Sequence, residues 1–338
     1  MTLIYAPFRV LCSTCGVRVE KMPWANRWER ITHSLSGAVS LLAKELPWNR
    51  VARHYGLAWK SVASAVRRAV AWGLTHRPWK PLHAIGFDEV ARAKGHAYLT
   101  LVYDLERRRL IWIGKDRTWE TTDAFFAWLG KRKRRSIHTV CIDMWAPYAD
   151  AVRTHLPNAK IVFDRFHIVR HLNKAVDEVR RATWRAMNGM DRMRFKKTRW
   201  LWLKNPWNLE PAQKRRLSEL CRRNSPIVRA YYLKEDFQRF WDYVYEGCAE
   251  KHLRQWTWWA SHSRLEPFKK LAKMIRTHWD GLMTWTKTRV SNGALEAMNG
   301  KVAQIRHRAH GFRNPDMFID NIYHCCADLP SEDGTLSG

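Results

Sequence analysis

Apolar positions recur with a helical period between Ser34 and Trp72, where Leu35, Val39, Leu42 and Leu46 fall at near-helical spacing. Pro47 and Trp48 restart a short helix through Val51, Gly56 breaks it, and a third helix follows from Ala58. Beyond the proline-bounded stretch Arg77 to Pro81, which reads as a linker, the period shortens. Short apolar runs predict strands over Ala84 to Val90, His96 to Asp104 and Arg109 to Gly114, with the charged turn at Glu106 giving an antiparallel meander. A helix is predicted over Thr121 to Lys131 on the stripe Phe125, Phe126 and Leu129, then a strand over Ile137 to Ile142. Pro147 opens a helix to His155, Ala159 to Phe163 forms a fifth strand, and a long helix runs from Phe166 through Val169, Leu172, Val176 and Val179.

The order β-β-β-α-β-α-β-α resembles the ribonuclease H-like fold, in which the first strand lies beside the fourth. From about Arg180 to Lys287 no strand pattern persists, and helical runs rich in Trp and Arg read as an all-helical insertion. A further helix after Ser291 carries a buried stripe of Leu295, Met298, Val302 and Ile305. The expected organisation is therefore α/β. A partial zinc-knuckle segment (1–30) and a helix-turn-helix (31–76) precede a catalytic core (82–180), a helical insertion (181–288), a C-terminal core helix (289–328) and a tail (329–338).

Charge narrows the partner. Lys and Arg number 60 against 31 acids, a net +29 spread over the whole length, so a polyanion is the expected ligand. No apolar run approaches a membrane span and no signal peptide is evident, so no membrane partner is expected. The predicted third helix carries Lys60, Ser61, Ser64, Arg67 and Arg68, a cationic, short-chained face suited to the major groove; a plain three-helix packing unit is the alternative. Among the tryptophans of the insertion, Trp200, Trp202, Trp207, Trp241, Trp256, Trp258 and Trp259, most are expected in the core and the rest could stack on splayed bases. Seven cysteines, an odd number in largely apolar contexts, suit a reducing compartment and a cytoplasmic, nucleoid-associated protein. Cys12 and Cys15, followed by Gly16, form one Cys-x-x-Cys knuckle, half of a tetrahedral zinc site, with His33 the nearest spare imidazole. A pair of reduced, unliganded thiols is the competing reading.

Three acids stand in contexts that suggest one site. Asp88 and Asp143 each end an apolar strand run, and Glu296 lies at the edge of the last helix's buried stripe. Clustered carboxylates repel one another and raise each other's pKa unless a cation joins them. Hard oxygen ligands suit magnesium, with manganese as a substitute, and two such ions about 4 Å apart activate a nucleophile and stabilise a leaving oxygen in phosphodiester chemistry. Asp164 is the main rival to Asp143, with His167 on the same helix face as a supporting group; Glu89 points to the opposite strand face as a surface or supporting group, and Asp150 and Asp104 have weaker claims. Beyond Glu296, Gly300 and Ala303 are small enough for close backbone approach, and Lys301, Arg306 and Arg308 are candidate phosphate contacts.

Five motifs carry a family resemblance: Ile85-Gly-Phe-Asp-Glu, Cys141-Ile-Asp-Met-Trp-Ala-Pro-Tyr148, Phe163-Asp-Arg-Phe-His-Ile-Val-Arg-His-Leu-Asn173, Ser291-Asn-Gly-Ala-Leu-Glu296 and Arg308-Ala-His-Gly-Phe-Arg-Asn314. Over about residues 8 to 325 the chain resembles the DDE transposases of bacterial insertion sequences, of the ISL-three group. The resemblance implies a triad at Asp88, Asp143 and Glu296, a helical insertion before the Glu, and N-terminal zinc and helix-turn-helix elements that bind terminal inverted repeats. It also implies hydrolytic cleavage at the element's ends, attack of the freed 3′-hydroxyl on target DNA, and a homodimer or larger synaptic assembly. Members usually carry another Cys-x-x-Cys pair upstream of Cys12, so the expectation is a shortened copy or an internal start. Two rivals remain: an inactive or domesticated DNA-binding repressor, which would gain nothing from clustered carboxylates beside DNA, and a structure-selective nuclease on the same fold.

Overall fold

In the computed structural model, residues 4–25, 29–93, 97–222, 225–289 and 293–332 are described. The chain begins with a hairpin of β1 (Arg9–Cys12) and β2 (Gly16–Val19), followed by α1 (His33–Glu45), α2 (Trp48–Tyr55) and α3 (Trp59–His76). A mixed α/β stretch then runs β3 (Ala84–Ala93), β4 (Ala97–Asp104), β5 (Arg109–Lys115), α4 (Trp119–Arg134), β6 (Thr139–Ile142), α5 (Ala146–His155), β7 (Lys160–Phe163) and α6 (Arg165–Ala186). Helices follow: α7 (Gly189–Phe195), α8 (Arg199–Leu203), α9 (Pro211–Cys221), α10 (Pro226–Gln238), α11 (Glu246–His262), α12 (Glu266–Thr277), α13 (Trp279–Thr288), α14 (Gly293–Arg308) and α15 (Pro315–Cys326).

The elements group into two units, one of residues 1–80, 90–113 and 296–338, the other of residues 81–89 and 114–295. Strand β3 belongs to both. The sheet order is β5-β4-β3-β6-β7, so β3, first in sequence, is paired in parallel with β6. No helix among the described residues is long and apolar enough to cross a membrane.

In the first unit, α1, α2 and α3 close on a core of Val39, Ala43, Val51, Val62, Val66 and Val70. Each element has a local cause: Thr32 caps α1 by accepting from the Leu35 N–H, and Gly56 ends α2 in the left-handed conformation (φ 63°) that a side chain disfavours. Arg77 opens the predicted linker yet is buried, its guanidinium donating to the Leu110 and Ile111 carbonyls, which ties the chain exit of α3 to β5. Helix α15 returns to α1 through a buried contact of 2.9 Å between Ser40 Oγ and His324 Nε2.

Burial, reinforced by the charges of Lys44 and Arg308, pushes the His324 imidazole down to about 3. A folded-state pKa below the unfolded value of about 6.5 means that the unfolded chain takes up the proton first. Stability is then intact above pH 6.5 and falls as pH drops toward 3, with about 2 kcal/mol lost by pH 5. Urea unfolding at pH 7.5 and pH 5 is expected to show this loss in the native protein and most of it removed in His324→Gln; equal pH sensitivity of the two would refute the assignment.

In the second unit, β6 and β7 pair in parallel and α4, α5 and α6 bury Phe125, Phe126, Tyr148, Val152, Ile168 and Leu172. Every element assigned to residues 165–288 among those described is helical. The tryptophans there divide: Trp202, Trp241 and Trp256 are buried, whereas Trp200, Trp207, Trp258 and Trp259 are exposed. Lys234 is fully buried, its Nζ donating to the Trp202 and Lys204 carbonyls at the end of α8 and pairing with Glu235 at 2.7 Å.

Candidate active site

Three aspartates lie level across three adjacent parallel strands. The last registered pair between β3 and β6 is Gly86 with Cys141, and two residues further along each strand stand Asp88 and Asp143. Between β6 and β7 the last pair is Ile142 with Phe163, and the next residues are Asp143 and Asp164, the latter donating its N–H to the Ile142 carbonyl at 3.1 Å. Alternation places the side chains of paired residues on one face, so register brings together carboxylates far apart in sequence. The carboxyl ends of parallel strands are where open α/β sheets place ligands.

The three carboxylates have different partners. Asp88 Oδ1 accepts from the Glu89 N–H at 2.8 Å, and Asp143 Oδ1 accepts from the Met144 N–H. Asp164 is almost fully buried and caps α6: it accepts from the Phe166 N–H at 2.9 Å and from His167 Nδ1 at 2.8 Å. Burial alone would lower the His167 pKa, but that hydrogen bond and the charges of Asp143, Asp164 and Asp88 outweigh it and raise it. His171 and His278 also feel Asp143, yet burial dominates and holds both below the usual histidine value. Beneath the row, burial together with Asp164 and Asp88 pushes the Cys141 thiol well up, keeping it neutral.

Arg117 and Glu89 complete the cluster. Arg117 follows Asp116, which has a left-handed backbone (φ 72°), and precedes Thr118, the N-cap of α4. Its Nε lies 2.9 Å from Glu89 Oε1 and its Nη2 3.1 Å from Asp143 Oδ2, with the guanidinium carbon 4.7 Å above the Trp145 ring. Glu89 is therefore not a surface residue: its side chain keeps 9% exposure because the cation and Tyr148 accompany it inward. Burial raises its pKa, Tyr148 and Arg117 oppose that, and Asp88 and Asp143 add to it. The sequence offered a signal for Tyr148, the last residue of the Cys141 motif, but none for Arg117, whose role depends on the turn between β5 and α4.

Hard carboxylate oxygens on adjacent strand ends are a donor set that fits a divalent cation. Among the described residues, no group of three or more His, Cys, Asp or Glu side chains forms a complete metal-holding set. The backbone of Glu296 lies in α14, but its side chain lies outside the described residues, as do Ser291 and Asn292 of its motif. Asp104 is buried and paired with Arg107 and Arg109, and Asp150 is an exposed partner of Arg153; neither joins the row.

The strand that presents Asp164 depends on a glycine. Gly281 of α13 packs on the Phe163 ring, and a Cβ at that position would overlap the ring. Both residues are buried, so Gly281→Ala is expected to destabilise the protein by about 1–3 kcal/mol through overpacking, despite the roughly 1 kcal/mol that Ala gains over Gly in a helix. A melting temperature at or above the native one would contradict this packing.

The remaining predicted residues lie in the first unit. Cys12 and Cys15 sit at the tip of the β1–β2 hairpin with Gly16 left-handed at φ 74°. Hydrogen bonds from Thr14 and then Cys15 pull the Cys12 thiol down to about 6, and Cys15 Sγ accepts from Arg18 Nε at 3.2 Å. A thiolate at neutral pH is the form that binds zinc. His33 Nε2 is buried without a hydrogen-bond partner among the described residues. On α3, Lys60, Ser64 and Arg67 are exposed and Ser61 half-buried; Arg67 pairs with Asp320, and Arg68 pairs with Glu29 at 2.8 Å. Lys301 is exposed on α14, while Arg306 donates to the Ala91 carbonyl and Arg308 to that of Glu45.

A family model for transposases, of the DDE type and ISL3 group, matches residues 85–322. The chain is 31% identical over 318 residues to the transposase for insertion sequence element IS1001 of Bordetella parapertussis, covering 93% of this chain and 78% of that protein. It is 28% identical over 337 residues to the transposase for insertion sequence element IS1557 of Mycobacterium tuberculosis, covering 92% of this chain and 75% of that protein.

Proposed function

Because this chain belongs to the ISL3 family of DDE transposases, we propose that it binds the terminal inverted repeats of an insertion sequence, cleaves DNA at their ends and joins the freed 3′-hydroxyl to target DNA. The observation that carries this reading is the level placement of Asp88 and Asp143, each two residues past the last registered pair of two parallel strands.

Asp88, Asp143 and Glu296 would hold divalent cations, magnesium with manganese as substitute, on a ribonuclease H-like core. Bound there, the ions would activate the attacking oxygen and neutralise charge on the phosphate. Arg117 fixes the Asp143 carboxylate through one oxygen and neutralises the buried Glu89 charge beside the row. Asp164 fixes the His167 ring through Nδ1, leaving Nε2 to donate to an anionic oxygen. The helix-turn-helix face of Lys60, Ser61, Ser64, Arg67 and Arg68 would read the repeat, and the Cys12–Cys15 hairpin would supply half of a zinc site. Lys301, Arg306 and Arg308 would follow phosphates, and two or more copies would bring the two ends together.

The test is incubation of the purified protein with a labelled duplex carrying the element's terminal repeat, a target plasmid and magnesium. Nicking at the repeat end followed by transfer of the label to the plasmid is expected. Tight binding without nicking, in magnesium and in manganese, would leave a DNA-binding remnant; nicking without transfer would leave a nuclease.

A further inference from the structure

Beyond Arg308, the motif Arg308 to Asn314 has no part in the reading above, yet it builds a cavity in the first unit. His310 (φ 54°) and Gly311 (φ 95°) are both left-handed, and this double turn folds Phe312 back against Trp48 at a ring separation of 6.3 Å and onto Phe318 at 4.9 Å. The resulting pocket, about 350 Å³, is walled by Trp48, Trp59 and Phe312. The pocket therefore offers aromatic faces to a flat ligand.

The pocket shares Ile305 and Arg308 with an open groove of about 870 Å³. Four cations line that groove, Lys44, Lys301, Arg306 and Arg308, against one acid, Glu45. Arg306 and Arg308 are each anchored by a bond to a backbone carbonyl, which fixes their guanidiniums and leaves further N–H donors on each. A cationic groove opening into an aromatic pocket is the arrangement that holds single-stranded nucleic acid, with phosphates in the groove and a base stacked in the pocket. An apolar side chain would fill the pocket but would leave the adjoining cations unused.

We propose that this pocket and groove form a binding site for single-stranded DNA, in which one unpaired base enters between Trp48, Trp59 and Phe312 while its backbone runs past Lys301 and Arg306. The site takes its ligand class from the transposase reading and rests on it. Helix α14 carries Glu296 near one end and Ile305 near the other, about 14 Å apart along the axis at 1.5 Å per residue. A strand unpaired at a cleaved end could therefore be held on the helix that supplies the catalytic Glu.

The test is fluorescence anisotropy of the full chain, in EDTA, with a labelled oligothymidylate of about twelve nucleotides and an abasic oligomer of equal length. The native protein is expected to bind the oligothymidylate about tenfold more tightly than the abasic strand. Trp59→Ala, at a half-exposed position whose truncation spares the core, should remove that preference and leave abasic binding unchanged. Lys301→Ala should weaken both and lower the slope of log affinity against log salt by about one. Equal affinity of the native protein for the two strands, or a preference that survives Trp59→Ala, overturns the proposal. So does a Trp59→Ala protein that loses self-association in sedimentation while binding DNA normally, since the pocket would then hold a second copy. Because binding is read without metal, failure here leaves the cleavage test untouched, and failure of cleavage leaves this binding measurable.

Discussion

Asp143→Asn is expected to abolish nicking and strand transfer, by about a thousandfold or more, while binding to the terminal repeat is retained. The magnitude follows from the several kcal/mol of charge stabilisation that a metal site supplies, at one factor of ten per 1.4 kcal/mol. The substitution keeps the shape of the side chain and replaces an anionic oxygen by an amide, a poor ligand for a hard cation. Its stability cost should be small. Asp143 shares Arg117 with Glu89, and once the Asp143 charge is gone the guanidinium is left to neutralise Glu89 alone. A structural ion pair would give the opposite pattern, lower stability with activity kept. Asp150→Asn, at an exposed pair with Arg153, is the matched control and should change neither. Residual cleavage by Asp143→Asn within about tenfold of native would remove Asp143 from the site and turn attention to Asp164.

Much of this architecture was legible because it is periodic. The stripe Leu295, Met298, Val302 and Ile305 is buried as its spacing predicts, and the strands ending before Asp143 and Asp164 stop at Ile142 and Phe163. Differences fall at the ends of elements, where capping decides. Helix α4 starts at Trp119, two residues before the predicted start, because the Thr118 side chain accepts from the Thr121 N–H; β3 runs on to Ala93, past the predicted Val90. The predicted strand from Ile137 begins at Thr139, and His96 of the predicted second strand lies outside the described residues. The site was legible to the same extent. An Asp after an apolar run is a local signal, and parallel register turns it into a row. Arg117 and the inward turn of Glu89 were not, since a cation in a loop between charged neighbours looks solvated until the fold aims it. The tryptophans divided for a similar reason: Trp202 and Trp256 lie on inward faces, Trp200 and Trp258 two residues away on outward ones, a choice that composition does not fix.

Removing the cation makes the second large effect. Arg117→Gln leaves the buried Glu89 carboxylate beside Asp88 and Asp143 with no neutralising partner, and it also loses the Trp145 stacking contact. Breaking a buried ion pair from one side costs about 3–5 kcal/mol. Arg117 keeps 29% of its side chain exposed, so water recovers part of this and about 2–4 kcal/mol is the expected loss near pH 7.5. The pH dependence fixes the cause. A carboxyl whose folded-state pKa is raised penalises the fold above that pKa and not below the unfolded one, because at low pH both states carry the proton. The deficit of Arg117→Gln should therefore be widest at pH 7.5 and already narrow toward pH 5, whereas the deficit from losing an ordinary surface pair would hold down to about pH 4, the usual carboxylate range. Arg117→Lys should fall between, keeping the charge but not the two-pronged contact or the stacking. Magnesium, as a second source of positive charge at the same carboxylates, should raise the melting temperature of Arg117→Gln more than that of the native protein. A variant as stable as native across this pH range, or indifferent to magnesium where the native protein responds, would mean that Arg117 does not neutralise this cluster.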